Sequence, residues 1–422
     1  MDKLVIQGGK RLEGTVEVSG AKNASLPILA ATILTKEKSV IKNVPQVADV
    51  FTMVKILKGL GAKVHHEGNT VEVDPSDVES PVLTYKLVST MRGSICFLGP
   101  CLARFGRAQV SFPGGCVIGP RPIDLHLKGV RSLGAEIILD HGYVIAKTKQ
   151  LKGGRVFLGG AYGSSVLGTA NVMMAATLAK GRTVIDNAAC EPEVVDLGNF
   201  LKKMGARIEG LGSPSIEIEG VKKLSGAAYS IIPDRIEAGT YMIASAMTKG
   251  DVTVQNVNLS TLAAMLDKLR EAGVSITEKN GMARVRRQGK LKPISVTTLP
   301  YPGYPTDLQA QMMALMCVVP GISVITEKIY PERFMHVSEL NRMGAGIMLE
   351  GPSAIVSGKK SLSGAPVMAS DLRASAALVL AGLVAEGTTE VSRVYHLDRG
   401  YENLVAKLGK LGAKIRREKE VR

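Results

Sequence analysis

Tryptophan is absent from the 422 residues, and phenylalanine and tyrosine bring the aromatic content to only 4%. Single-stranded nucleic acid is held largely by stacking on aromatic rings, so this poverty argues against the RNA- or DNA-binding role that a formal charge of +15 invites. No RNP-like or helix-turn-helix pattern occurs, and the basic residues are spread along the chain, clustering only at 284–287 and in the C-terminal tail. Anionic small molecules suit the charge at least as well, and composition alone does not decide between the two. No run approaches the roughly 18 uninterrupted apolar residues of a membrane span. The first ten residues alternate like a strand and lack a signal-peptide apolar core, which predicts a cytoplasmic protein.

Cysteine is scarce as well. Cys96, Cys101, Cys116, Cys190 and Cys317 form no CxxC pair and no zinc-like spacing with histidine, and their odd number argues for free thiols. Cys96, Cys101 and Cys317 sit in apolar runs, where a buried inert thiol is expected. Cys116 differs. It lies in Ser111-Phe-Pro-Gly-Gly-Cys-Val-Ile-Gly-Pro-Arg-Pro-Ile-Asp-Leu-His126, a stretch with too many glycines and prolines for a regular element. The paired glycines leave its sulfur uncrowded, and Arg121 favours a thiolate if the loop folds back. A surface loop with an incidental cysteine is the plain alternative.

What the chain has in abundance is a rhythm. A helix-like run ending in Gly-Ala or a close variant, then a short strand, recurs with its glycine at 61, 134, 205, 273, 344 and 412. The period of about 70 residues exceeds that of solenoid repeats, so each copy is a compact module. The glycine suits a left-handed helix terminus, and the helix before it is amphipathic. Each module has an earlier helix that is apolar or small nearly all round, at 24–34, 94–103, 166–179, 236–247, 308–318 and 372–384. Such helices are expected to be fully buried. The expected class is α/β, with two similar inside-out α/β domains of three modules each. Buried helices stand at each centre, with sheets and surface helices outside. The expected boundaries are 21–231 for the first domain and 1–20 plus 232–422 for the second.

Polar residues collect where the buried helices begin. Ser165 and Asp371 read as ordinary caps. Capping does not account for Lys22, Arg92, Arg235 and Arg373, because a cation at a helix N-terminus opposes the dipole. Four such placements point to a bound anion, since helix N-termini with arginines suit phosphate and carboxylate. Arg399 is expected at the start of the last surface helix, and Arg333 at the corresponding point of the fifth module.

Several motifs carry a resemblance that runs the length of the chain. They are Ser19-Gly-Ala-Lys-Asn-Ala24, Pro113-Gly-Gly-Cys-Val-Ile-Gly-Pro-Arg-Pro122, Pro233-Asp-Arg-Ile-Glu-Ala-Gly239 and Pro305-Thr-Asp-Leu-Gln-Ala-Gln311. Arg333-Phe-Met-His336, Ser370-Asp-Leu-Arg-Ala-Ser375 and His396-Leu-Asp-Arg-Gly-Tyr401 follow. Each is weak alone; in this order they are specific. The sequence resembles the UDP-N-acetylglucosamine enolpyruvyl transferases.

The resemblance implies the inside-out double fold. It also implies transfer of the enolpyruvyl group of phosphoenolpyruvate to the 3′-hydroxyl of UDP-N-acetylglucosamine, by addition and then elimination of phosphate. That step opens peptidoglycan synthesis, and through it cell-wall growth, shape and division. By position, Lys22, Arg121 and Arg399 resemble the phosphoenolpyruvate clamp, with Asn23, Arg92 and Arg373 beside it. Cys116 resembles the general acid and the thiol alkylated by fosfomycin, and Asp307 the group that takes the sugar hydroxyl's proton. Asn23, Arg92, Arg121, Pro122, Ile123, Asp124, Leu125, Ser165, Val166, Asp307 and Ile329 match positions that hold the nucleotide sugar. No metal, cofactor, nucleic-acid or membrane partner is implied, and a monomer is expected. Leu167 and Cys190 depart from the family pattern. A related enolpyruvyl transferase acting on shikimate 3-phosphate shares the fold, but the Pro-Gly-Gly-Cys loop argues against it. A basic RNA-binding or RNA-end-processing protein is the remaining alternative.

Overall fold

Helices with no polar face have nowhere to stand but inside, and among the described residues each of two compact units holds three of them in its core. The structure is a computed structural model that describes residues 2–88, 91–112 and 123–419. Cys116, Arg121 and Pro122 lie outside the described residues. The central helices are α1 (Lys22–Ala31), α2 (Leu98–Phe105), α3 (Val166–Ala176), α4 (Arg235–Met247), α5 (Gln309–Cys317) and α6 (Leu372–Val384). Every residue of α4 and α5 is buried. Among the described residues no helix is long and apolar enough to cross a membrane.

Where the sequence leads one to expect a single helix over 94–103, a 3₁₀ segment (Arg92–Phe97) runs into the short α2. Gly93, Gly99 and Pro100 weaken a continuous helix there. Gly99 is required by contact, because a Cβ on it would stand 2.2 Å from the Asn171 carbonyl oxygen on α3.

Around these helices the described strands form six four-stranded sheets of one design, besides the short pair Gly159–Gly160 and Gly163–Ser164. In each, the strand after the central helix pairs in parallel with a short edge strand and antiparallel with the second strand of a hairpin. The strand Ser39–Lys42, for example, lies between Ala228–Ser230 and Thr70–Asp74. The sixth sheet is completed from the far end of the chain: Asp2–Gln7 pairs with both Thr388–Ser392 and Lys414–Lys419. The six recurring glycines all have positive φ, from 87° at Gly134 to 104° at Gly61, so each ends its surface helix in the left-handed region.

Of the described residues, those between Gly20 and Ile232 form one compact lobe, here called the middle lobe. Those up to Ser19 and from Pro233 onward form the other, the terminal lobe. Each lobe has a hydrophobic core of its own. Each is an inside-out α/β assembly of three modules, closed on itself by a strand from its own far end. In the middle lobe that strand is Ala228–Ser230; in the terminal lobe Glu13–Glu17 pairs with Asp251–Gln255.

Candidate active site

In the terminal lobe, three segments far apart in sequence bring one carboxylate and two guanidinium groups together. Extended Pro305 opens a 3₁₀ turn, Thr306–Leu308, that leads into α5 and carries Asp307. Arg333 Nη1 donates to Asp307 Oδ1 at 2.9 Å, and Arg373 Nη2 donates to Oδ2 at 2.9 Å. Arg373 is the second residue of α6, whose N-cap Asp371 accepts from the Arg373 and Ala374 amides. Both arginines are buried, at 6% exposure for Arg333 and 2% for Arg373. Burial pushes the Asp307 pKa up, but the charges of Arg373 and then Arg333 outweigh it and hold the group well below the carboxylate range. Arg373 Nη1 is buried with no hydrogen-bond partner among the described residues. A buried N–H left over on a paired arginine is the kind of donor an anionic ligand completes.

Arg399 does not start the last surface helix. It closes a 3₁₀ turn (Val394–Arg399), and the helix begins at Leu404 after Asn403, whose φ is 51°. This turn packs closely on the start of α6: a Cβ at Gly400 would come 2.6 Å from a methyl of Leu372. His396, on the same turn, has its pKa lowered first by burial and then by the nearby Arg399 charge. Ile329 lies in the segment after the strand Gly321–Thr326, and its amide donates to Glu327 Oε1 at 2.8 Å. Behind Asp307, Gln311 donates to the Asp307 carbonyl and to Tyr401 Oη, and Arg373 stands 5.4 Å from the Tyr401 ring centre.

A second group of expected residues assembles in the middle lobe. Lys22 and Asn23 are the first two residues of α1, and Lys22 is paired with the buried Asp49 at 2.8 Å. Its place at a helix N-terminus is thus partly balanced from within the protein. Arg92 begins the 3₁₀ segment that meets α1 at Gly93, where a Cβ would come 2.9 Å from Leu26. The Arg92 charge also adds to burial in lowering the pKa of His126 to about 3. His126 belongs to the helix Asp124–Ser132, which follows Ile123 and carries the exposed Asp124 and the half-buried Leu125. Leu125 faces the first turn of α3, 3.7 Å from where a Gly168 Cβ would lie. Ser165 caps α3 by accepting from the Gly168 amide at 3.1 Å, and Val166 is the first helical residue. A Gly168 Cβ would stand 2.8 Å from that capping oxygen, so the cap and the glycine belong together.

The sequence reading left out Glu327, Thr306 and the pair His126–Asn171, and did not count Arg333 among the site residues. Arg333 had a signal in its Phe-Met-His motif. Glu327 had only the oddity of a carboxylate directly after an apolar strand. Three of the described cysteines are buried thiols: burial pushes Cys96, Cys101 and Cys317 up to about 12. Cys190 is raised by burial and then by Glu191.

Comparison with known proteins gives a consistent outcome. A family described as EPSP synthase (3-phosphoshikimate 1-carboxyvinyltransferase) matches residues 6–408. A UDP-N-acetylglucosamine 1-carboxyvinyltransferase of Geotalea uraniireducens is 57% identical over 420 residues, covering 100% of both chains. That of Myxococcus xanthus is 56% identical, covering 99% of this chain and 100% of its own. Among solved structures, the enolpyruvyl transferase NikO from Streptomyces tendae superposes with a TM-score of 0.89 at 26% identity, over 99% of this chain and 98% of its own. EPSP synthase from Acinetobacter baumannii, at 17% identity and a TM-score of 0.75 over 99% and 100% of the chains, shares the fold.

Proposed function

The chain belongs to the EPSP synthase family of enolpyruvyl transferases, and we propose on that footing that it acts on UDP-N-acetylglucosamine. It transfers the enolpyruvyl group of phosphoenolpyruvate to a hydroxyl of that sugar and releases phosphate; relatives at 54–57% identity bear the name UDP-N-acetylglucosamine 1-carboxyvinyltransferase. The step belongs to peptidoglycan synthesis.

The observation that carries the reading is the buried Asp307–Arg333–Arg373 cluster with a spare guanidinium N–H. Phosphoenolpyruvate offers a carboxylate and a phosphate, and forked arginine contacts suit both. Arg373 and Arg399 in the terminal lobe, and Lys22, Asn23 and Arg92 in the middle lobe, are the proposed ligands of that substrate, with Arg121. Ile123, Asp124, Leu125, Ser165, Val166, Asp307 and Ile329 are proposed to hold the nucleotide sugar, with Pro122. Cys116 remains the proposed acid that protonates the methylene carbon as the sugar oxygen adds to the neighbouring carbon.

Asp307 needs a qualification that the geometry supplies. A carboxylate gripped on both oxygens by guanidinium is a poor base. It becomes a useful one when a substrate anion draws Arg373 toward itself and loosens one of the two grips. Proton abstraction then follows phosphoenolpyruvate binding rather than preceding it.

The test is phosphate release from phosphoenolpyruvate, with UDP-N-acetylglucosamine and shikimate 3-phosphate offered in separate reactions. Release with the nucleotide sugar alone, and a product heavier by one enolpyruvyl group, is expected. Release with shikimate 3-phosphate alone would reassign the acceptor while keeping the family. Release with neither would overturn the reading.

A further inference from the structure

Glu327 is fully buried, at 0% exposure, and stands at the end of an apolar strand. Glutamate is among the residues least often buried, and an unsupported buried carboxylate costs several kcal/mol. Here hydrogen bonds support it. Oε1 accepts from Thr298 Oγ1 at 2.6 Å, from the Ile329 amide at 2.8 Å and from the Tyr330 amide at 3.0 Å. Oε2 accepts from Thr306 Oγ1 at 2.8 Å.

The plain explanation is that Glu327 ties off the turn after the strand. That accounts for Oε1 and leaves Oε2 unexplained. Because the Thr306 hydroxyl gives its proton to Oε2, its lone pairs face the other way, where Arg333 Nη1 donates to it at 2.9 Å. The second N–H of that same nitrogen reaches Asp307 Oδ1 at 2.9 Å. One relay therefore runs from carboxylate to hydroxyl to guanidinium to carboxylate, and each donor has its direction set by the group behind it. The other arm of Glu327 holds the amide of Ile329, which the proposed function places against the nucleotide sugar.

We infer that Glu327 is a positioning residue for the reaction. Through Thr306 and Arg333 it aims the Asp307 carboxylate, and through the Ile329 and Tyr330 amides it sets the segment beside the nucleotide sugar. The inference rests on the functional reading above. The two arms are separable: Thr306 serves only the first, Glu327 serves both.

Steady-state phosphate release, with both substrates varied and the thermal midpoint recorded, tests this in Thr306→Val, Thr306→Ser and Glu327→Gln. Val keeps the shape of Thr306 but ends the relay. It is expected to lower kcat about tenfold or more, as small misplacements of reacting groups do, with the KM for UDP-N-acetylglucosamine raised less than in Glu327→Gln. Ser keeps the hydroxyl and is expected to restore most of that kcat, which a loss of packing alone would not predict. Glu327→Gln is expected to lower kcat and raise the KM for the nucleotide sugar together. If Thr306→Val is too unstable to assay, the contrast of Thr306→Ser with Glu327→Gln decides. Wild-type kcat in either the Val or the Gln variant, or a Ser variant as impaired as Val, would overturn the inference. A wild-type enzyme that releases no phosphate with UDP-N-acetylglucosamine would instead remove the functional reading, and this inference with it.

Discussion

In the middle lobe one buried polar network is neutral: Asn171 of α3 donates to the Ile95 carbonyl at 2.9 Å, accepts from the Gly99 amide at 2.8 Å and meets His126 Nδ1 at 2.8 Å. In the terminal lobe a charged cluster stands at the starts of α5 and α6, with Asp307 between Arg333 and Arg373, and Glu237 is paired with Lys407 at 2.7 Å. The two lobes share a module, a strand order and a pattern of buried helices, so the fold does not demand the charges. A neutral network with every group satisfied stiffens a core at little cost, whereas buried ions pay heavily for desolvation. The middle lobe has a buried pair of its own, Lys22 with Asp49 at 2.8 Å, so the lobes differ in where their charges stand and not in whether they bury any.

The strongest way to break this contrast is Asp307→Ala. It leaves two buried guanidinium groups without their shared counter-ion and is expected to cost about 3–5 kcal/mol in denaturant unfolding, along with activity. The matching change in the middle lobe, Asn171→Ala, orphans neutral groups only. Its expected cost is smaller, about 1–3 kcal/mol. Equal losses would mean that the charged cluster is no more strained than the neutral one.

Acid should sharpen the comparison from the other side. The His126 pKa falls to about 3 in the folded lobe because of burial and the Arg92 charge, against 6.5 unperturbed. The unfolded chain therefore takes up the proton first. The stability His126 contributes is full above pH 6.5 and is lost as the pH falls toward 3. Replacing it by glutamine should flatten that part of the stability curve, with a difference of about 2 kcal/mol developing between neutral pH and pH 5. An unchanged acid limb would show that His126 is not the group responsible.

The smallest expected effect tests what the lobes have in common. Thr183 and Thr389 are the second residues of equivalent strands, both fully buried, and their hydroxyls have no partner among the described residues. Val252 fills the same position in the fourth module. Thr183→Val and Thr389→Val should each stabilise the protein by about 1 kcal/mol, since a buried unpaired hydroxyl is relieved. A gain in one lobe and a loss in the other would show that the modules differ in packing as well as in charge.

The module rhythm was legible because its cause is local. A glycine in the left-handed region ends a helix wherever it stands, and a helix without a polar face is buried in any context. Ser165 and Asp371 were readable as caps for the same reason. The reading went astray where tertiary contact overrode local pattern. Residues 92–97 are 3₁₀ ahead of a short α2 that packs closely on α3 at Gly99, and Arg399 closes a 3₁₀ turn packed on Leu372 instead of opening a helix.

Residue order alone was enough to specify six modules, their central helices and the cations at the helix N-termini, because propensity, capping and apolar periodicity act over a few neighbours. Which of those cations would meet a carboxylate was decided only when Thr306, Glu327, Arg333 and Arg373 were folded to within 3 Å of their partners. Burial weakens the screening of charge, so the same aspartate that is an ordinary acid in the unfolded chain becomes, between two arginines, a group held far from its usual titration.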